Sequence, residues 1–249
     1  MGDAITAAHQ SQWLAEAMQA ALLLDGANHE DEAIGTVAQF FTTHLRHDDR
    51  EQDIHVHNAS APRLPKLTRA ALSQEQLALY QEITSGPRAT GPQHFAVQDR
   101  DGSLNGPFGV MLYAPALGGA LQELGAAVRY RTKMSARTRE IAILTVAAAT
   151  GSGFERYAHE RVGRAAGLTE EELSTLASGT FASEDPVEGA AYALCRRLQD
   201  TPRPLDDDEY EAMVSVLGHE GVVELVVLIG YYRTLAQLME VFGIGAPSS

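Results

Sequence analysis

The chain has 249 residues, and 33 acidic against 19 basic side chains give it a formal net charge of −14 at pH 7. Such a charge argues against binding to nucleic acid or to an anionic membrane surface. A single cysteine, Cys195, excludes an intramolecular disulfide, a CxxC redox pair and a cysteine-rich zinc site. Hydrophobic residues make up 45% of the chain, which is typical of a globular protein with a buried core.

The first residues contain no basic region followed by an apolar stretch, so we expect no targeting segment. The most apolar runs, 141–150 and 222–232, are shorter than the roughly 20 residues that a membrane span needs. We therefore expect a cytoplasmic protein that does not associate with a membrane.

Two helices are predicted before residue 60. Apolar residues recur at helical spacing over residues 4–24 and again over about 30–45. The polar stretch 47–58 that follows resembles a linker, so we place a domain boundary near residue 60. Residues 1–60 then form an N-terminal helical extension of unknown role, and residues 61–249 form the main domain.

Four histidines lie near this linker, among several aspartates: His44, His47, His55 and His57. Imidazole and carboxylate groups suit a divalent zinc, iron or nickel ion. However, no recognised zinc spacing is present, and a linker rich in His and Asp is more often simply solvated. We therefore predict no metal site.

Helical periodicity continues through the main domain. Ser73 with Gln76, and Thr169 with Glu172, have the spacing of capping boxes. Prolines and glycines between residues 85 and 108 predict a long irregular segment. The predicted helices cover about 74–83, 115–130, 136–149, 154–166, 170–177, 186–200, 207–217 and 221–242. No strand alternation stands out, so we predict an all-α fold.

The run 222–232 is apolar almost all round. This pattern predicts burial on every side, either inside the domain or under another subunit.

The densest group of polar residues within otherwise apolar helical sequence extends from Arg139 to Glu160. One helix ends at Gly151-Ser152-Gly153 and another begins there, which places Glu155 and His159 on the same helical face. A carboxylate beside an imidazole can orient the ring and raise its basicity, as proton transfer requires. Glu140 begins the preceding apolar helix, where we expect it to be partly buried.

These residues also allow a structural interpretation. Ser152 and Glu155 have the spacing of a capping box, which would explain both without chemistry. His159 followed by Glu160 could be part of a solvated helix surface, and Glu140 could pair with a neighbouring arginine.

Several short sequence stretches, found in a fixed order along the chain, form a wider pattern that includes these residues. Its members are Asn105-Gly106-Pro107-Phe108, Met111-Leu112, Arg137-Thr138-Arg139-Glu140-Ile141, Phe154-Glu155, Ala158-His159-Glu160, Ala165-Ala166-Gly167-Leu168, Val223-Glu224-Leu225 and Gly230-Tyr231-Tyr232. In this order they resemble the carboxymuconolactone decarboxylase family and the related AhpD-like proteins, over about residues 62–247. The resemblance implies an AhpD-like helical bundle that assembles as trimers or hexamers, with pockets near the subunit interfaces.

The peroxidase branch of this family has a glutamate, a CxxC pair and then a histidine four residues after the second cysteine. The matching positions here are Glu140, Ser152, Glu155 and His159, so both thiols are missing. Serine and glutamate cannot cycle through sulfenic acid and disulfide, and we therefore do not expect thiol peroxidase activity.

The decarboxylase branch removes carbon dioxide from an unsaturated lactone acid without a metal or organic cofactor. By this resemblance we expect a lyase, or an isomerase or cyclase, that acts on a small carboxylated or lactone-type metabolite. We assign His159 as proton donor, Glu155 as the group that holds its tautomer, and Glu140 as a third catalytic residue. The N–H groups of residues 151–153 are candidates for binding a carboxylate or enolate oxygen.

We also name candidate substrate-binding residues: Ser152, Phe108, Met111, Tyr113, Phe154, Tyr231 and Tyr232. Ordinary core packing is the alternative for each of the apolar and aromatic ones. The expected partners are a small-molecule substrate and further copies of this chain. The alternative function is a non-catalytic, oligomeric binding or scaffold protein on the same fold.

Overall fold

The computed structural model describes residues 63–86, 93–201 and 203–247. The two predicted N-terminal helices, the cluster of His44, His47, His55 and His57, and the proposed boundary near residue 60 lie outside the described residues. These remain predictions.

Eight α-helices and a short 3-10 turn, Arg69–Ala71, are found within the described residues. The helices are α1 (Gln74–Ser85), α2 (Pro107–Met111), α3 (Pro115–Tyr130), α4 (Ala136–Thr150), α5 (Gly153–Ala165), α6 (Glu170–Ser178), α7 (Pro186–Asp200) and α8 (Asp207–Phe242). The only β-pairing within these residues is an isolated bridge between Gln98 and Leu104, in the segment that was predicted to be irregular. The all-α prediction is confirmed.

Local capping chemistry sets several helix ends where the sequence predicts them. Ser73 with Gln76 and Thr169 with Glu172 form reciprocal capping boxes at the beginning of α1 and α6. At α7 the N-cap is Asp185, whose carboxylate accepts hydrogen bonds from two backbone N–H groups of the first turn. Each cap satisfies donors that have no partner inside the helix.

Helix α4 lies at the centre of the domain and packs against α5, α6, α7 and α8. Its residues Ile141, Ala142, Ile143 and Val146 are completely inaccessible to solvent. The central position of α4 therefore places the residues of its first turns, including Glu140, inside the domain.

Helix α8 contains a kink at Gly218, where φ is 68° and ψ is 164°. A glycine adopts this left-handed φ at low cost, and the kink separates the two helices that the sequence predicts as 207–217 and 221–242. Burial of α8 on every side is not observed within the described residues, because Val223, Val226 and Val227 are 62%, 44% and 40% exposed.

By length and composition alone, α8 could cross a membrane. This is weak evidence, since the core helix of a soluble protein passes the same test, and α8 supplies Leu225, Leu228 and Met239 to the core. The cytoplasmic location stays a prediction.

Candidate active site

The turn between α4 and α5 is closed by its own backbone. Gly151 takes a left-handed φ of 65°, and its N–H and that of Ser152 donate to the Ala148 and Ala147 carbonyls at 3.4 and 3.0 Å. These bonds satisfy the last carbonyls of α4. The two N–H groups are therefore not directed at a ligand, contrary to the expectation for residues 151–153. The first backbone N–H groups of α5 that have no partner within the helix are those from Gly153 onward.

Glu140 and His159 form the central contact of the site. The Oε2 atom of Glu140 lies 2.6 Å from Nδ1 of His159, and the two side chains are 0% and 7% exposed. The sequence pointed to Glu155 as the partner that holds the imidazole, whereas the structure places Glu140 in that position. The pair joins the first turns of α4 to the middle of α5.

Glu140 is held in its ionised form. Burial opposes ionisation, but the neighbouring charges of His159, Arg129 and Arg139 together hold the pKa of Glu140 below its ordinary value. Arg139 contributes through its Nε atom, 3.9 Å from Oε1 of Glu140.

Glu155 is in a different electrostatic state. It is 2% exposed, and neither of its carboxyl oxygens has a hydrogen-bond partner among the described residues. Burial raises the pKa of Glu155 to about 8, against the opposing influence of the nearby Ser152 hydroxyl. The predicted capping box is not formed, since the Ser152 side chain makes no cap hydrogen bond. Glu155 is therefore mainly a neutral carboxylic acid at pH 7.

A small cavity of about 20 Å³ lies against these groups, roughly enough for one water molecule. It brings together His159 and Glu155 with four of the predicted pocket residues: Phe108, Phe154, Tyr231 and Tyr232. The aromatic rings pack edge to face. The His159 and Tyr232 ring centroids are 5.1 Å apart, and those of Tyr231 and Tyr232 are 5.2 Å apart.

The structure does not bring the other three predicted pocket residues to this cavity. Met111 is buried in the core, and Tyr113 is 40% exposed with its hydroxyl donating to the Pro65 carbonyl at 2.5 Å. Ser152 lines a separate cavity of about 190 Å³ between α4, α5 and α6.

Phe95 and Arg129 are among the cavity residues that the sequence does not identify. Phe95 belongs to the irregular segment, where no periodicity singles out a side chain. Arg129 lies in the last turn of α3, where a basic residue is expected simply because it complements the helix dipole. Neither position carries a sequence signal that points to the site.

The described residues contain no group of three or more His, Cys, Asp or Glu side chains that could hold a metal ion. Cys195 lies on α7 and is completely buried, which raises the pKa of its thiol. Burial in this form makes the thiol unreactive.

These features define an all-helical domain. Its buried pair of titratable groups, Glu140 and His159, lies where α4 and α5 cross. Residues 115–196 match the family model of the carboxymuconolactone decarboxylase family. This match covers about a third of the chain, and it agrees with the fold that the domain shares with AhpD-like structures.

Two solved structures share the fold. One is the alkylhydroperoxidase AhpD core of an uncharacterized peroxidase-related protein from Ralstonia eutropha JMP134. It is 12% identical with a TM-score of 0.60, over 76% of this chain and 94% of that chain. The other is a cysteine-to-alanine variant of the debrominase Bmp8 in complex with 2,3,4-tribromopyrrole. It is 12% identical with a TM-score of 0.56, over 74% of this chain and 90% of that chain. No curated protein matches the sequence.

Proposed function

We propose that this domain is a cofactor-independent acid/base enzyme that decarboxylates or isomerises a small carboxylated or lactone-type molecule. The observation that supports this most directly is the buried contact of 2.6 Å between Glu140 and His159 at the wall of a cavity. The debrominase among the structural neighbours is an example of this fold in an enzyme.

In the proposed mechanism His159 moves the proton. Because Glu140 contacts Nδ1 of His159, the proton would be exchanged with a ligand in the cavity at Nε2. The ionised carboxylate of Glu140 also stabilises the imidazolium that forms whenever His159 takes up a proton. In this role Glu140 replaces Glu155 as the group that sets the tautomer.

Glu155 then acts as a hydrogen-bond donor. A neutral carboxylic acid can donate to an oxygen on which negative charge develops, as an ionised one cannot. The absence of any hydrogen-bond partner for its oxygens among the described residues leaves the group available to a ligand.

These roles account for both reactions. In decarboxylation the bond to the carboxylate carbon breaks, carbon dioxide leaves, and the electron pair delocalises into a conjugated carbonyl that Glu155 stabilises. Protonated His159 then supplies the proton of the new C–H bond. In isomerisation His159 removes a proton from one carbon and returns it to another. Neither reaction needs an oxidant or a reductant.

We further propose that the chain forms a homo-oligomer, as the family resemblance implies for trimers or hexamers. Val223, Val226 and Val227 form an exposed apolar stripe on α8, and Leu117 on α3 is 70% exposed. Apolar side chains that cluster on a surface commonly mark a protein interface.

A non-catalytic binding or scaffold protein is the second candidate function. The observation that favours it is the small volume of the cavity, about 20 Å³, which cannot admit a metabolite without movement of its walls. Under this alternative the Glu140–His159 pair has only a structural role.

Incubation of the full chain with a panel of unsaturated lactone acids and conjugated carboxylic acids tests the proposal. Mass spectrometry would detect loss of carbon dioxide, and proton NMR in deuterated water would detect isomerisation. We expect turnover that is lost in His159→Ala and retained in His94→Ala, which removes an exposed histidine. Full turnover by His159→Ala would contradict the assigned role, and no turnover of any compound would favour the scaffold.

A further inference from the structure

Arg129 is a cation of the candidate site to which no role has been assigned. It lines the cavity together with His159 and Tyr232, and its guanidinium is within hydrogen-bonding reach of the Tyr232 hydroxyl. Arg129 forms no ion pair within 4.0 Å with any described carboxylate, so Glu140 influences it only from a longer distance. The positive charge of Arg129 therefore has no carboxylate as near to it as Glu140 is to Arg139.

The charges around the cavity do not cancel. Arg129 and Arg139 are both positive, and Glu140 is the carboxylate among the described residues whose charge acts on both of them, although it already contacts His159. Glu155 adds no negative charge at neutral pH because it is protonated. While His159 is neutral, the cluster therefore carries one excess positive charge in a poorly solvated place, where an unpaired charge is costly. An anionic ligand would compensate it.

We propose that Arg129 binds the carboxylate of the ligand, and that the ligand is a flat, conjugated monocarboxylate. This inference rests on the proposed function, since it assigns the substrate class of the same site. The planar guanidinium can hold a carboxylate through two parallel hydrogen bonds. One excess charge fits one carboxylate. The aromatic side chains of Phe108, Phe154 and Tyr231 would pack against a flat hydrocarbon body once the walls of the small cavity move apart.

This binding mode also bears on the reaction. A carboxylate paired with Arg129 is stabilised as an anion in the ground state, which opposes its own loss as neutral carbon dioxide. With a monocarboxylate the remaining reaction is a proton shift. One C–H bond breaks and another forms as the double bond moves, and His159 carries the proton. The assignment of Arg129 therefore favours isomerisation over decarboxylation.

The local charge matters because the whole chain repels anions. With a formal net charge of −14, the long-range field disfavours the approach of a carboxylate. Selection for an anion must therefore come from a short-range contact inside the cavity, which Arg129 can provide.

Isothermal titration calorimetry of the full chain with two probes tests the proposal. Sorbate is a flat, conjugated monocarboxylate, and sorbamide is its uncharged isostere. We expect the wild-type chain to bind sorbate about tenfold or more tightly than sorbamide, the range of a charge-assisted hydrogen bond. Arg129→Gln should remove this preference and leave the affinity for sorbamide within about twofold. Arg129→Lys should keep part of it, because it retains the charge but not the planar geometry.

Arg131→Gln is the matched control, since it removes an exposed positive charge at the same end of α3. The proposal is overturned if Arg129→Gln keeps the preference for sorbate, or if the wild-type chain binds neither probe. Equal weakening of both probes would also overturn it, because that result indicates only structural support of Tyr232.

Failure of this inference is distinguishable from failure of the proposed function. If the preference for sorbate depends on Arg129 but no turnover is found in the substrate panel, the anion site stands and the acid/base enzyme does not. If turnover depends on His159 while Arg129→Gln leaves the preference intact, the enzyme stands and the assignment of Arg129 is wrong.

Discussion

Glu140 on α4 and His159 on α5 are 19 residues apart in the sequence, yet Oε2 of one lies 2.6 Å from Nδ1 of the other. Both side chains are almost fully removed from solvent. Because a buried, charge-assisted contact of this length strongly fixes both groups, the crossing of the two helices also determines the orientation of the imidazole.

The substitution Glu140→Gln is expected to weaken this contact without removing the side chain. A short, buried N–H···O bond gives a proton NMR signal far downfield, and we expect that signal from the Nδ1 proton of His159 in the wild-type chain only. On an identified substrate, turnover should fall on the order of 10²–10⁴-fold. Glu160→Gln is the control, since Glu160 pairs with Arg156 on the outer face of α5. A downfield signal that persists in Glu140→Gln would show that another group holds the ring.

The substitution Glu155→Gln is expected to change the pH dependence of the free energy of unfolding. Burial raises the pKa of Glu155 to about 8 from an ordinary value of 4.5. Between these values the folded chain keeps a proton that the unfolded chain releases, so wild-type stability falls as the pH rises. Urea unfolding at intervals across this window should show that Glu155→Gln removes a decline of about 4 kcal/mol.

Glu123→Gln on the exposed face of α3 serves as the control for this measurement. It should follow the wild-type profile, since it removes a carboxyl group without changing the buried site. Parallel profiles for the wild-type chain and Glu155→Gln would mean that Glu155 does not hold a proton in the folded state.

Phe95 is expected to control access to the cavity. It lines both the small cavity of about 20 Å³ and a neighbouring surface cleft of about 330 Å³. Its ring packs edge to face on Phe154 at a centroid distance of 6.1 Å. Removal of the ring in Phe95→Ala should join the two spaces and raise the association rate of sorbate several-fold in ligand-observed NMR. Val97→Ala, which changes the outer cleft but not the lining of the small cavity, should leave the rate unchanged.

The apolar stripe on α8 is expected to lie in an interface between copies of the chain. Exposed valines in a monomer tolerate polar substitution at a cost of about 0.5 kcal/mol or less. In an interface, Val223→Glu combined with Val227→Glu would place charges in a dehydrated contact and dissociate the oligomer. Light scattering coupled to size-exclusion chromatography measures the change in mass. Val187→Glu on α7, a position of similar exposure (39%), is the control.

The prediction from sequence was most accurate for local structure. The limits of α3 and α6 and the capping boxes at Ser73 and Thr169 were recovered nearly residue by residue. The separation of α8 at Gly218 was also anticipated, although the structure shows a kink rather than a loop. These features depend on contacts within about one turn of helix, so a short window of sequence contains their cause.

The candidate site was recovered only in part, because spacing along one helix relates residues on that helix alone. Glu155 and His159 share a face of α5, as predicted, yet the partner of the imidazole comes from α4. The helix pattern singles out Glu140 as a partly buried carboxylate and the family resemblance adds a catalytic role, but neither selects it as the group that holds the imidazole, and no pattern selects Arg129.

The helical class, most helix ends and the lack of a redox thiol pair follow from the sequence alone, because composition and local capping chemistry do not depend on the distant packing of the chain. The tertiary structure decided which groups meet and which are charged. Packing α5 against α4 pairs Glu140 with His159 and removes Glu155 from water, and the approach of α3 adds Arg129. Protonation states follow from burial and neighbouring charges, and both exist only once the helices are packed together.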